Sequence, residues 1–286
     1  MQRNLLPLQK LLLLLICVGV CSTDSHASNR YYADNTLEPT SGFAWDWSAG
    51  TGYYIEDSYL VGMDSYSDGL ELDINLAVSY ERFYLDIDHS QLSGGIIIGY
   101  SIINKYDWDL DILGTNVQAG FDETGLDFYN TGVVPELKGI RSRKYDFDTG
   151  LRLTRRFENS QISFEYLHDI SNAHNGWVIN SFFSHILPWQ NWEFRTGVGL
   201  SAYSADFTNY YFGITADEAT ATRPVYQTDD AAVSFIFEFH AEYPLNQHWV
   251  FLGGWLSTWF SDEITNSPIV SQGYQHKAMV GVRYVF

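Results

Sequence analysis

The chain has 286 residues, with 16 Lys and Arg against 35 Asp and Glu, and a formal net charge of −19. That balance argues against nucleic acid, because neutralising phosphates takes lysine and arginine. With 45% hydrophobic, 16% aromatic and only 18% charged residues, the chain is too apolar for an acidic disordered segment and unusually aromatic for a soluble domain.

The first 27 residues read as an export signal. Arg3 and Lys10 give a basic start, and Leu11 to Val20 is an apolar run too short to cross a bilayer as a helix. Ser25-His26-Ala27 offers small residues for cleavage after Ala27. A lipid-modified Cys21 is the alternative. Both cysteines, Cys17 and Cys21, lie here, so a chain cleaved after Ala27 carries no disulfide and no thiolate. Residues 28–42 follow as a short segment expected in the periplasm. Beyond residue 27 no apolar run is long enough for a transmembrane helix.

From residue 43 to 286 the pattern has period two. Leu70, Leu72, Ile74, Leu76 and Val78 alternate with Glu71, Asp73, Asn75 and Ser79, and Trp108, Leu110 and Ile112 alternate with Asp107, Asp109 and Asp111. Successive side chains leave opposite faces of a strand, so this is β geometry. Twelve strands are expected, near 43–54, 70–79, 83–90, 95–103, 106–114, 145–156, 161–170, 177–187, 192–203, 231–243, 248–260 and 275–286. Tight turns at 81–82, 104–105, 158–160, 188–191 and 244–247 alternate with connections that are mostly longer. An even strand number, short turns on one side and longer loops on the other describe an antiparallel transmembrane β-barrel of the outer membrane. Tyr80, Tyr106, Trp108, Trp189, Trp192, Tyr243, Trp249, Tyr284 and Phe286 cluster at the turns, as a periplasmic aromatic girdle would. The last strand carries Val280, Val282, Tyr284 and Phe286 in alternation, the C-terminal signature that barrel-assembly machinery reads.

The other row should line the lumen. Asp107, Asp109, Asp111, Asp146, Asp148 and Glu238 form a candidate acidic row, with Arg152, Arg195, Lys277 and Arg283 as its sparser cations. Such a row suits a cation-preferring channel, or a packed lumen in which each arginine bridges several carboxylates. No long constriction loop can be read from the sequence. The one cluster with a nucleophile, a base and an acid is His168-Asp169-Ile170-Ser171-Asn172-Ala173-His174, at the outer end of the seventh strand. His168 and Ser171 should face opposite sides of a strand, and Ser171 meets His174 only if the loop curls. The acidic pairs Asp122-Glu123, Asp217-Glu218, Asp229-Asp230 and Asp262-Glu263 lie in loops without calcium-loop spacing and read as solvated. Neither a catalytic residue nor a cofactor or metal site is expected.

Several segments carry a resemblance. Tyr210-Tyr211-Phe212-Gly213-Ile214-Thr215 with Ala219 and Arg223-Pro224-Val225-Tyr226, Ser267-Pro268-Ile269-Val270, and Asp169-Ile170-Ser171 before His174-Asn175-Gly176-Trp177 together resemble the MipA/OmpV family. The resemblance runs from about residue 43 onward. It implies an outer-membrane barrel and, from the member that names the family, a scaffold joining a lytic transglycosylase to a penicillin-binding protein. Other members imply porin-like, osmotically responsive or adhesive roles. No catalytic residue comes with it. The expected surroundings are outer-membrane lipid and lipopolysaccharide, and the expected state is a monomer.

Overall fold

The computed structural model of the chain describes residues 42–63, 67–88, 92–126, 129–130 and 132–285. The expected signal segment 1–27, residues 28–41 and Phe286 lie outside the described residues. Twelve strands form the wall of a closed antiparallel barrel: β1 (Phe43–Glu56), β2 (Ser67–Tyr80), β3 (Phe83–Ile87), β4 (Ile96–Lys105), β5 (Trp108–Thr115), β9 (Asp148–Arg156), β10 (Ser160–Asp169), β11 (Trp177–Trp189), β12 (Trp192–Tyr203), β13 (Ala232–Pro244), β14 (Trp249–Phe260) and β15 (Tyr274–Val285). Each strand pairs with its sequence neighbour in the wall, and β15 returns to β1 with Val282 opposite Thr51 and Val280 opposite Tyr53. Closure gives every wall strand a neighbour on both sides, the arrangement that lets β structure sit in lipid. No helix among the described residues is long and apolar enough to cross a membrane; the crossing is made by strands.

The two faces of the wall follow the alternation. Leu70, Leu72 and Ile74 point outward, at 79%, 83% and 57% exposure, while Asp73 and Asn75 on the alternate row are buried. The outer aromatics gather at the turn end. Trp192 meets Tyr243 in a tilted contact at 4.9 Å, and Trp249 meets Tyr284 edge-on at 5.2 Å. Val280 and Tyr284 lie on this outer row of β15, with Val282 between them at the seam with β1.

One turn differs from expectation. β4 continues through Asn104 and Lys105, and the reversal falls on Tyr106 and Asp107, both at positive φ (56° and 61°). The register of β4 against β5 slips between Ser101 and Ile103, a bulge that sends the strand further before it turns. Asp107 therefore leaves the lumen row. Its exposed carboxylate instead pairs with Arg155 on the outer face, at 3.4 Å.

At the loop end the inward face turns apolar: Ile97, Leu113, Leu167, Val178 and Ala232 take the places that carboxylates hold lower in the barrel. The loops pack down on them. The β12–β13 connection forms helix α1 (Ala205–Phe212), capped at its start by the Ser204 hydroxyl, which accepts the Phe207 amide at 3.2 Å. Phe207, Tyr211 and Phe212 of α1 join Leu60, Phe121, Leu137, Ile214, Ile264 and Ile269 from four different connections in one buried cluster. Helix α2 (Asp262–Thr265) and the short strands β6 (Phe121–Asp122), β7 (Gly125–Leu126) and β8 (Tyr129–Asn130) belong to the same cap. Arg143 and Glu218 tie it together: both are buried and meet at 2.8 Å. Burial raises the Glu218 carboxyl, but the Arg143 guanidinium and the amides of Arg141 and Thr215 outweigh it and hold the group down at about 2. Arg223 donates to the carbonyls of Glu136, Lys138 and Glu218, stitching three backbone segments with one guanidinium.

Candidate functional site: the barrel interior

The interior is a ladder of charge pairs below an apolar roof. Nearest the turns, Arg283 binds Glu242 at 2.8 Å and Arg195 binds Glu193 at 2.5 Å. Higher up, Arg152 reaches Asp111 at 3.2 Å, lies 3.9 Å from Glu165 and donates to the Tyr84 hydroxyl at 2.7 Å. Tyr84 can lean this far into the bore because β4 has Gly99 beneath its ring; a Cβ there would stand 2.0 Å from it. Arg156 pairs with Asp109 at 2.9 Å, and the Tyr54 hydroxyl donates to Asp73 at 2.5 Å. Asp109, Asp111, Asp148 and Glu238 are each buried. Asp146 is buried too, but it precedes β9 and sits under the cap. Among the expected cations, Lys277 contributes a looser pair with Glu56 at 3.8 Å.

A short strap, residues 92–95, reaches into the bore. β3 ends at Ile87, and Leu92 and Ser93, ahead of β4, reach inward. Leu92 lodges among Leu252, Leu256, Met279 and Tyr54. Ser93 donates through its amide at 3.2 Å and its hydroxyl at 2.5 Å to the Glu238 carboxylate on β13, nearly opposite in the wall. Glu238 is completely buried and is also hydrogen-bonded to His240. Between strap and cap lies a cavity of about 210 Å³, lined by Ser93, Asn116, Asn180, Ser201, Tyr203 and Ile236 among others. Its lining is neutral and mixed in polarity, so the acidic row is not its wall.

The Ser171 cluster does not assemble a nucleophile and base. The Ser171 hydroxyl donates to Asp169 at 2.6 Å and accepts the Phe147 amide at 3.2 Å. His174 turns away into the interior beside Asp146 and Asp148. His168 pairs in register with Trp177 and Thr149 on the outward row of β10. The acidic loop pairs stay apart as well. Glu218 is committed to Arg143, Asp122 accepts from Thr124, and Glu123 accepts the Gly139 amide at 2.9 Å.

The chain is 29% identical over 192 residues to the outer membrane protein Omp26La of Vibrio anguillarum, covering 63% of this chain and 74% of that protein. It has the same identity, over the same length and shares, to the outer membrane protein OmpV of Vibrio cholerae. Among solved structures it is similar to an anion-selective porin from Comamonas acidovorans, with a TM-score of 0.41 at 10% identity over 86% of this chain and 100% of that one. The NanC porin gives 0.40 at 9% identity over 83% and 98%. The family model described as MltA-interacting protein MipA matches residues 49–286, and by that match over most of its length the chain belongs to this family of outer-membrane barrels.

Proposed function

We propose that the protein is a non-enzymatic scaffold of the outer membrane, a closed barrel that presents its turn-end rim to cell-wall enzymes in the periplasm. The observation that carries this reading is the interior. The described lumen is roofed by the apolar cap, crossed by the Ser93–Glu238 strap and filled by arginine–carboxylate pairs. Such an interior costs the barrel a permeation path and gives it a rigid wall. The name of the family model, MltA-interacting protein, supports a lytic transglycosylase as the partner, with a penicillin-binding protein as the second enzyme of the assembly. The rim offers Trp189, Trp192, Tyr243 and Trp249 beside the short turns. The direct test is co-purification of a lytic transglycosylase with the detergent-solubilised barrel. Retention at near-equal stoichiometry is expected, and loss of the enzyme on gel filtration counts against the reading.

A narrow, gated solute channel is the second reading, favoured by the cavity of about 210 Å³ between strap and cap. Under that reading the strap is the gate, and steady conductance requires its release from Glu238.

A further inference from the structure

We propose that Asp146, Asp148 and His174 form a binding site for a first-row divalent metal ion such as zinc, seated between the barrel wall and the cap. One ligand atom from each lies within 4.8 Å of the others, and all three residues are buried. His174 Nε2 stands 3.3 Å from Asp148 Oδ1 and 3.7 Å from Asp146 Oδ2, with the three side chains fully covered. Neither carboxylate oxygen of Asp148 has a hydrogen-bond partner, and neither does His174 Nε2. A carboxylate removed from water without donors is strongly disfavoured unless a cation or a proton compensates it. One imidazole and two carboxylates form the mixed nitrogen–oxygen set that suits zinc-class ions rather than calcium or magnesium.

The surroundings hold the donors in place. Asp146 is fixed by the Val117 amide at 2.7 Å, the Gln118 amide and the Tyr211 hydroxyl at 3.2 Å. The His174 ring lies edge-on to Phe207 of α1 at 4.8 Å, and its own amide donates to Asp169. His174 Nδ1 accepts the Gly176 amide at 3.0 Å, which puts the ring proton on Nε2, aimed at Asp148. Metal ligation through Nε2 therefore moves that proton to Nδ1 of the same ring, and the Gly176 amide contact gives way. An ion held here would join the start of β9, the β10–β11 loop and the packing face of α1, so the site would staple the cap to the wall.

The test uses tag-free, full-length mature barrel, refolded in detergent and stripped with chelator. Zinc is titrated with calorimetry, and bound metal is counted after gel filtration. One tightly bound zinc per barrel is expected, with Asp148→Asn and His174→Gln each weakening binding by roughly tenfold or more while the barrel keeps its heat-modifiable migration. X-ray absorption of the zinc-loaded wild type should show an imidazole in the first shell, a readout that needs no variant to fold. No stoichiometric zinc in the wild type, equal binding by folded Asp148→Asn, or a shell without imidazole would each overturn the proposal. In that case the His174 ring proton alone compensates the buried Asp148.

Discussion

Replacing Glu218 by Gln keeps the size of the side chain but removes the negative charge that Arg143 faces. Glu218 accepts four hydrogen bonds: from Arg143 and the Arg141 amide at 2.8 Å each, and from the Thr215 amide at 3.0 Å and hydroxyl at 2.8 Å. Arg143 is 5% exposed, so the variant leaves a buried guanidinium without its counter-charge. The carboxyl is held at about 2 against an ordinary 4.5, which corresponds to about 3 kcal/mol. Solvent lies close to a cap made of loops, so we discount this to about 2 kcal/mol, or roughly a thirtyfold increase in cap opening. The barrel wall does not share this pair and should stay closed. Trypsin at pH 8, in the regime where cleavage follows the opened fraction, should cut the variant near Lys138, Arg141 and Lys144 at about that ratio over wild type. Heat-modifiable migration of the barrel should not change. The sign of the pH effect follows from the lowered carboxyl. Its contribution is fully present above about 4.5 and is lost as pH falls through about 2. Wild-type cap opening should therefore rise across that window, and the rise should be smaller in the variant. Equal cleavage rates at pH 8 would refute the role given to the pair.

Other outcomes follow from the same structure. Leu92→Ala should cost about 2–5 kcal/mol of strap stability, read as faster hydrogen exchange at residues 92–95 with the wall unchanged, because Leu92 is buried among Leu252, Leu256 and Met279. Glu238→Ala removes the acceptor of both Ser93 hydrogen bonds and should produce intermittent conductance bursts in planar bilayers. Leu72→Arg, on the outward row near the middle of β2, should destabilise the folded barrel by about 2–4 kcal/mol in urea titration into lipid vesicles. Replacing Tyr106-Asp107 by Asn-Gly, the pair suited to two positive φ values, should stabilise the β4–β5 turn by about 1 kcal/mol in the same titration.

The barrel itself was legible because lipid and lumen impose opposite chemistry on alternate residues. Leu70 through Ser79 display both faces openly, and the observed wall has the expected number of strands. The turn at Tyr106-Asp107 was not legible. The alternation of Tyr106, Asp107 and Trp108 runs unbroken across the reversal, and the bulge after Ser101 that displaces it leaves no mark of its own. The strap is not legible because its anchor, Glu238, lies far from Ser93 in sequence. Asp148 and Glu238 could be assigned to the inner row from their strands alone. That His174 joins Asp146 and Asp148 depends on how the β10–β11 loop curls under α1. The same curl separates Ser171 from His174, a pairing that sequence could raise but not decide. A roof has one sign in the sequence that the alternation alone does not interpret: Ile97, Leu113, Leu167 and Val178 are apolar on the inward row, where a water-filled mouth has no use for them.

Whether the strap and cap close the barrel is read by single-channel recording of the refolded wild-type protein in planar bilayers. Wild type should show no steady conductance above the bare bilayer, with bursts appearing only when Glu238 is replaced. Stable, cation-selective steps from the wild-type barrel would contradict it.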